Sequence, residues 1–149
     1  MTISTVDAEA ARDLIARENQ ALNEGASFDY VDELYAEDVI VNMTRTGDDQ
    51  PVVSREDIKA LYREWKSAFP DLRVEVEHEA VEGDTVMQYV TMRGTHEGPF
   101  RGIASTGNEI AVPGFHMRRV QDGQIVETAS VAGMATLLGQ LGLKLPLEA

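Results

Sequence analysis

Apolar residues recur every three or four positions in the first half of the chain, a spacing typical of helices with one buried face. The first such stretch ends before Gly25. Another begins at Ser54, three residues before Asp57, in an arrangement that resembles a capping box, and Pro70 stops it. The predicted helices are Val6–Asn23, Phe28–Tyr35, the segment from Ser54 to Pro70 and, near the C-terminus, Gly133–Leu141.

The second half of the chain alternates between apolar and polar residues, which is the period of a β-strand. Asp122-Gly123 separates two such stretches and favours a tight hairpin. Residues Glu97–Asn108 form a glycine-containing connection, for which a mobile lid and a plain crossover are both open interpretations. The predicted strands are Val39–Met43, Leu72–Val81, Val86–His96, Ile110–Val120 and Ile125–Ala132.

Helices followed by a run of strands predict the α+β class and a single domain that spans residues 1–149. We expect the four long strands to form a mostly antiparallel, strongly curved sheet that wraps around the N-terminal helices. Such a curved sheet leaves a cavity at its open end. A chain of this length can bury a substantial core without disulfides or metal ions.

Composition narrows the classes of function. The chain has no cysteine, which excludes disulfides, thiolate metal sites and cysteine nucleophiles. Its net charge of −13 argues against nucleic acids and anionic membranes as partners. Neither a signal peptide nor an apolar span is recognisable, so we expect a cytoplasmic protein. Few lysines among many acidic residues leave a halophilic source and an ordinary acidic protein equally open.

Several local patterns resemble those of the SnoaL-like polyketide cyclases of the ester cyclase type, within the nuclear-transport-factor-like superfamily. They are Trp65-Lys-Ser-Ala-Phe-Pro-Asp-Leu72, Gly94-Thr-His-Glu-Gly-Pro-Phe100, Val112-Pro-Gly-Phe-His116 and Leu137-Leu-Gly-Gln-Leu-Gly142. This resemblance implies a cone-shaped α+β barrel, a homodimer and a mostly apolar pocket for a small apolar molecule. Members of the family close polyketide rings by intramolecular aldol condensation without a cofactor. No phosphate-binding loop, dinucleotide fingerprint or metal-spaced cluster is present, so we expect neither cofactor nor metal.

One segment departs from the family pattern. After the Asp-Gly turn the family has Ile-Val-Glu-His-Trp-Asp, whereas this chain has Ile125-Val-Glu-Thr-Ala-Ser130. The acid–base Asp of the family therefore falls at Ser130, and a hydroxyl cannot act as a base near neutral pH without a base of its own. Three functions stay open: a cofactor-free cyclase or isomerase, a non-catalytic ligand-binding or accessory protein, and a dimerisation module.

Three residues are candidates for catalysis. His96 matches the pocket histidine of the family, where it would donate to an enolate oxygen or shuttle a proton, although a rim histidine bonded to backbone is equally compatible. His116 shares a strand face with Gly114 and Arg118, and pocket and structural roles are equally open. Asn42 would orient a carbonyl through its amide.

Larger side chains and two hydroxyls are candidates for substrate binding, although most of the large ones should also pack the core. They are Trp65, Phe69, Met43, Tyr35, Met92, Ser130 and Thr128. By strand alternation Glu127 should face away from Ser130. His78, among several glutamates, is expected on the surface.

Overall fold

A computed structural model describes residues 5–25, 27–43 and 54–144, and the side chains of all of these except residues 5, 6 and 43. Helices and strands follow one another in the predicted order. They are α1 (Thr5–Glu24), α2 (Tyr30–Leu34), β1 (Tyr35–Met43), α3 (Arg55–Ala68), β2 (Arg73–Glu82), β3 (Thr85–Thr95), β4 (Glu109–Gln121), β5 (Gln124–Ala132) and α4 (Met134–Gln140).

The five strands form one curved, open sheet in the order β1-β5-β4-β3-β2. Strands β2 to β5 form the predicted antiparallel meander, and β1 adds a parallel edge strand beside β5. The predicted α+β class and the curved sheet around N-terminal helices are confirmed. Tyr35 was expected at the end of the second helix but begins β1 instead, so this strand starts four residues before Val39.

Local sequence signals explain where the elements begin and end. The Ser54 hydroxyl accepts a hydrogen bond from the Asp57 backbone N–H at 3.2 Å and caps α3, a contact worth about 1 kcal/mol. Asp122 and Gly123 both have positive φ angles, 51° and 75°, which are those of the tight turn that joins β4 to β5. None of the helices in the described part of the chain is both long and apolar enough to cross a membrane.

Alternation along the strands gives the sheet two different faces. One face points at the helices and carries Gln88, His116 and Ser130, which are cross-strand neighbours on β3, β4 and β5. The adjacent row on this face contains Arg118 beside Thr128. The opposite face carries exposed apolar side chains. The sheet therefore presents a polar stripe to the helices and an apolar surface to the outside.

The connection between β3 and β4 lies against the C-terminal end of α3. The backbone N–H groups of Glu97 and Gly98 both donate to the Ala68 carbonyl, at 2.9 and 3.1 Å. A Cβ atom at position 98 would lie 2.3 Å from the Ser67 carbonyl oxygen, so only glycine permits this close approach. Phe100 is fully buried beneath the connection. These contacts hold the segment against the body of the protein.

Candidate functional site

A cavity of about 130 Å³ lies between the helices and the concave face of the sheet. For comparison, an apolar protein cavity of about 150 Å³ is large enough to hold benzene. Most of the wall is apolar and includes Leu22, Trp65, Leu72, Val74, Val90 and Met92. The polar part of the wall includes Asn19, His116 and a group of interacting side chains that we call the polar cluster: Glu18, Tyr35, Tyr62, Arg118, Thr128 and Ser130.

Arg118 on β4 is the centre of the polar cluster. Its Nη1 atom donates to the Thr128 hydroxyl at 2.6 Å and to the Ser130 hydroxyl at 3.4 Å. Its Nη2 atom donates to Oε1 of Glu18 at 3.4 Å, so that α1 and β4 are joined by an ion pair. The two side chains are only 7% and 3% exposed. The cavity therefore contains a buried pair of opposite charges.

The charges of the pair alter the acid–base properties of its surroundings. Burial by itself lowers the pKa of the Arg118 guanidinium, but the negative charge of the neighbouring Glu18 carboxylate opposes this, and the net pKa is raised. Burial, followed by the negative charge of Glu18, raises the pKa of both Tyr35 and Tyr62. Both tyrosines therefore stay neutral, and their hydroxyls lie 3.2 Å apart.

His116 lies one cross-strand row from Arg118 and also lines the cavity. Its Nε2 atom is 2.8 Å from Oε1 of Gln88, which also accepts a hydrogen bond from the Asn19 amide at 3.0 Å. Because an amide oxygen can only accept, Nε2 carries the proton. Burial, and then the Arg118 charge, lowers the pKa of His116 to about 3. The imidazole is therefore neutral near pH 7.

Several predicted site residues lie on the cavity wall. They are His116, Trp65, Tyr35, Met92, Ser130 and Thr128. The structure thus brings together most of the side chains predicted to bind substrate, and one of the three candidates for catalysis. Among the described residues, no three His, Asp or Glu side chains are grouped so that they could hold a metal ion.

Other predicted site residues lie elsewhere. His96 was expected at the cavity but is fully buried outside it, where its Nδ1 atom accepts from the Thr106 backbone N–H at 3.1 Å and its ring packs on Phe69. Phe69 does not line the cavity either; it packs in a separate apolar cluster that includes Phe100 and Leu137. Asn42 is exposed on β1 and does not line the cavity. The side chain of Met43 lies outside the described residues. His78 is exposed, as expected.

Sequence reasoning missed the ion pair at the centre of the cavity. Glu18 occupies a position of the α1 stripe, four residues after Leu14 and four before Leu22, where an apolar residue is expected. Arg118 occupies a helix-facing position of β4, between His116 and Val120 on the same face. The sequence did contain a signal for this pair: one acidic and one basic residue each occupy a position expected to be buried. Buried charges are normally paired, so these two could have been expected to meet.

Comparison with known proteins places this chain in a family. A sequence model described as SnoaL-like polyketide cyclase matches residues 13–141. A search among curated proteins gave no significant match.

Solved structures give the same result. IdmH, a proposed polyketide cyclase from Streptomyces antibioticus, is 30% identical, with a TM-score of 0.77 over 89% of this chain and 99% of its own. AclR, a proposed hydroxylase from Streptomyces galilaeus, is 29% identical, with a TM-score of 0.80 over 93% of this chain and 84% of its own. A SnoaL-like protein from Jannaschia sp. CCS1, 22% identical, has a TM-score of 0.79 over 97% of both chains and shows the shared fold.

Proposed function

Because this chain belongs to the SnoaL-like polyketide cyclase family, we propose that it is a cofactor-independent enzyme of the cyclase or isomerase type that acts on a small apolar carbonyl compound. The observation that carries this proposal is a mostly apolar cavity whose wall includes several titratable side chains, namely Glu18, His116 and Arg118. A wall of only hydroxyls and hydrocarbon would instead favour a binding protein.

The chemistry of aldol closure requires a base for the proton alpha to a carbonyl, a donor for the enolate oxygen, and a site with little water. The apolar wall supplies the last of these. Arg118 and Tyr35 are buried donors in that wall and Tyr62 is a partly buried one, so they can replace the hydrogen bonds that a carbonyl oxygen loses when it leaves water. His116 contributes as a neutral group that positions the ligand.

Exchange of carbon-bound protons tests this proposal without knowledge of the natural substrate. Purified protein is incubated in D₂O with a panel of aromatic ketones and 1,3-diketone esters, and nuclear magnetic resonance follows loss of the alpha-proton signal and any ring closure. We expect exchange of at least one compound well above the rate in buffer. A protein that exchanges none of them at millimolar concentration is not this kind of enzyme.

A matched pair of substitutions separates catalysis in the cavity from a surface effect. Gly114 lines the cavity, and a Cβ atom there meets its neighbours at ordinary distances of 3.5 Å and more. Gly114→Leu should fill the cavity and abolish exchange. Ala104→Leu adds three carbon atoms instead of four, at an exposed position of the connection, and should leave exchange unchanged.

A ligand-binding or accessory protein is the second candidate. The observation that favours it is Ser130, which stands where the family has a carboxylate. Its hydroxyl accepts a hydrogen bond from Arg118 at 3.4 Å. In the same experiment this function predicts saturable binding of an apolar ketone that Gly114→Leu abolishes, with no proton exchange.

A homodimer is the proposed assembly. The side chains of Phe115, Met87 and Val131 are 62%, 56% and 55% exposed, on the sheet face opposite that of His116 and Arg118. The Phe115 ring also packs on Tyr89, with 4.8 Å between ring centres. A second copy placed on this face would remove the apolar patch from water. Light scattering should give twice the chain mass, and Phe115→Glu should give a folded monomer; a monomeric native protein would contradict the proposal.

A further inference from the structure

We propose that Glu18 and Arg118 form the reacting centre of the cavity, in place of the family carboxylate that is Ser130 here. In this assignment, which rests on the proposed function, Glu18 takes the proton alpha to the ligand carbonyl through Oε2. Arg118 binds the carbonyl oxygen that becomes the enolate. The ligand class that fits such a centre is a neutral apolar compound with an enolisable carbonyl.

The first step of the argument is the incomplete bonding of the pair. Oε2 of Glu18 and Nε of Arg118 are buried and have no hydrogen-bond partner among the described residues. A buried charged atom without a partner costs stability, and a buried pair repays its desolvation only when its remaining bonding positions are filled. Glu18 and Arg118 both line the cavity. For the reaction, a small rotation of the Glu18 side chain has to bring the buried Oε2 to the ligand.

The second step compares Glu18 with the other groups that could accept a proton. Ser130 is a hydroxyl that accepts from Arg118, which makes it a poorer base. His116 has its Nε2 proton committed to Gln88, and burial and Arg118 lower its pKa to about 3, too low for efficient proton removal near neutral pH. Neither His96 nor Asn42 lines the cavity. Glu18 is the remaining carboxylate on the described wall.

The proposed step balances without a cofactor. Oε2 of Glu18 takes the alpha proton. The C–H electron pair forms the C=C bond of the enolate, and the C=O π pair moves to the oxygen beside the Arg118 guanidinium. The enolate carbon then forms a C–C bond with a second carbonyl of the same molecule. The new alkoxide takes the proton back from Glu18, so that both side chains return to their starting state.

The charge of the pair selects the charge of the ligand. Glu18 and Arg118 together carry no net charge, so a neutral ligand adds none, whereas an anionic ligand would meet the Glu18 carboxylate in a buried site. The cavity, at about 130 Å³, favours a compound with a single ring or a short chain. Carboxylic acids should therefore bind worse than ketones of the same shape.

The test uses 4-nitrophenol as a probe, because a phenol resembles an enol and a phenolate resembles an enolate. The dissociation constant is measured by absorbance from about pH 6 to about pH 9. The other ionisable groups facing the pair are Tyr30, Tyr35 and Tyr62, whose pKa values are raised, and His116, whose pKa is lowered, so each stays neutral throughout. Native protein should bind the neutral phenol and lose affinity about tenfold per pH unit above the pKa of the probe.

Glu18→Gln should reverse this preference. The variant keeps the shape of the side chain but leaves Arg118 with a net positive charge, so it should bind the phenolate at least about tenfold more tightly than the phenol. The double variant Glu18→Gln/Arg118→Met removes both charges and should lose the phenolate preference. Glu24→Gln, the same change at an exposed site of α1, should behave like the native protein.

The outcomes separate this inference from the proposed function. If Glu18→Gln and native protein share one pH profile, or if native protein fails to bind the phenol, the ligand does not contact the pair and the inference is wrong. Ketone exchange that persists unchanged in Glu18→Gln would have the same meaning, with the proposed function intact. Conversely, a reversed pH profile without any ketone exchange would support the binding centre and reject the enzyme.

Discussion

His96 and His116 belong to the same antiparallel meander, and both were candidates to face the cavity, yet the structure places them in opposite surroundings. His96 follows the last residue of β3, and its ring nitrogen Nδ1 is bonded within its own connection, to Thr106. His116 lies in the middle of β4 and meets side chains from other elements, Gln88 on β3 among them. His96 holds the connection between β3 and β4 in place, and His116 forms part of the cavity wall.

The difference lies in which elements supply the partners. Around His96 the contacts come from Phe69 and the connection itself, and they attach 96–108 to the end of α3. Around His116 and Arg118 they come from α1, β3 and β5, and two charged atoms of the ion pair keep no partner among the described residues. Nε2 of His96 is also a buried atom without a partner among the described residues. It lies away from the cavity, however, whereas Glu18 and Arg118 line it, so only there can a ligand supply the missing hydrogen bonds.

Replacement of one polar side chain by leucine in each histidine region should give the largest contrast. Arg118→Leu leaves the Glu18 carboxylate buried without its cation and should lower the free energy of unfolding by about 3–5 kcal/mol. His96→Leu loses one acceptor for a backbone N–H and should cost only about 1–2 kcal/mol. Urea unfolding of the two variants measures both losses. Equal losses would mean that the ion pair is solvated rather than buried.

A double variant checks why Arg118→Leu should lower the free energy of unfolding. Glu18→Leu combined with Arg118→Met removes both charges and fills the space with hydrocarbon, so most of the stability should return. Failure of the double variant to recover would point to packing rather than charge.

Acid should destabilise the His116 region by a smaller amount. Because the folded protein lowers the pKa of His116 from 6.5 to about 3, the unfolded chain binds this proton more readily. The stability contributed by the neutral imidazole is present above the unfolded pKa and is lost as the pH falls towards the folded one. Between about pH 7 and about pH 5 the loss should be about 2 kcal/mol.

Comparison with His116→Gln separates the contribution of His116 to the pH dependence of stability from that of the carboxylates, which also titrate in acid. Glutamine can keep the hydrogen bond to Gln88 but takes up no proton in this range. The difference in unfolding free energy between native protein and variant should therefore shrink as the pH is lowered. A difference that stays constant would show that the imidazole is not protected from protonation.

Much of the fold was predictable because it depends on local signals that each residue type carries. The hairpin at Asp122-Gly123, the cap at Ser54 and the stop at Pro70 all fix element ends to within a residue or two. Tyr35 was the exception. An aromatic residue fits a helix face and a strand equally well, and its place in β1 depends on the partner strand β5, which is distant in sequence.

The site was less predictable, because it depends on which faces meet. Alternation placed Ser130 with Thr128 on one face of β5 and His116 with Arg118 on one face of β4, but it left open which face of β4 meets the cavity. His96 lies just past a strand end, where alternation no longer decides direction. Glu18 and Arg118 are 100 positions apart, and their contact follows only once α1 is packed across β4.

The same small substitution in both regions gives the finest test of the contrast. The Thr128 hydroxyl is hydrogen-bonded to Nη1 of Arg118 at 2.6 Å, and the Thr106 hydroxyl is hydrogen-bonded to Nδ1 of His96 at 2.9 Å. Valine keeps the shape and removes these hydrogen bonds, and at position 106 it also removes the one that the hydroxyl accepts from the exposed Asn108 backbone N–H at 3.1 Å. Thr128→Val should cost about 1.5 kcal/mol because the lost partner served a charge, and it should weaken binding of 4-nitrophenol. Thr106→Val should cost about 0.5–1 kcal/mol, because the Thr106 backbone N–H still serves His96, and should leave probe binding unchanged. Weaker probe binding in Thr106→Val would mean that the two regions are coupled, and the separation drawn between the two histidines would fail.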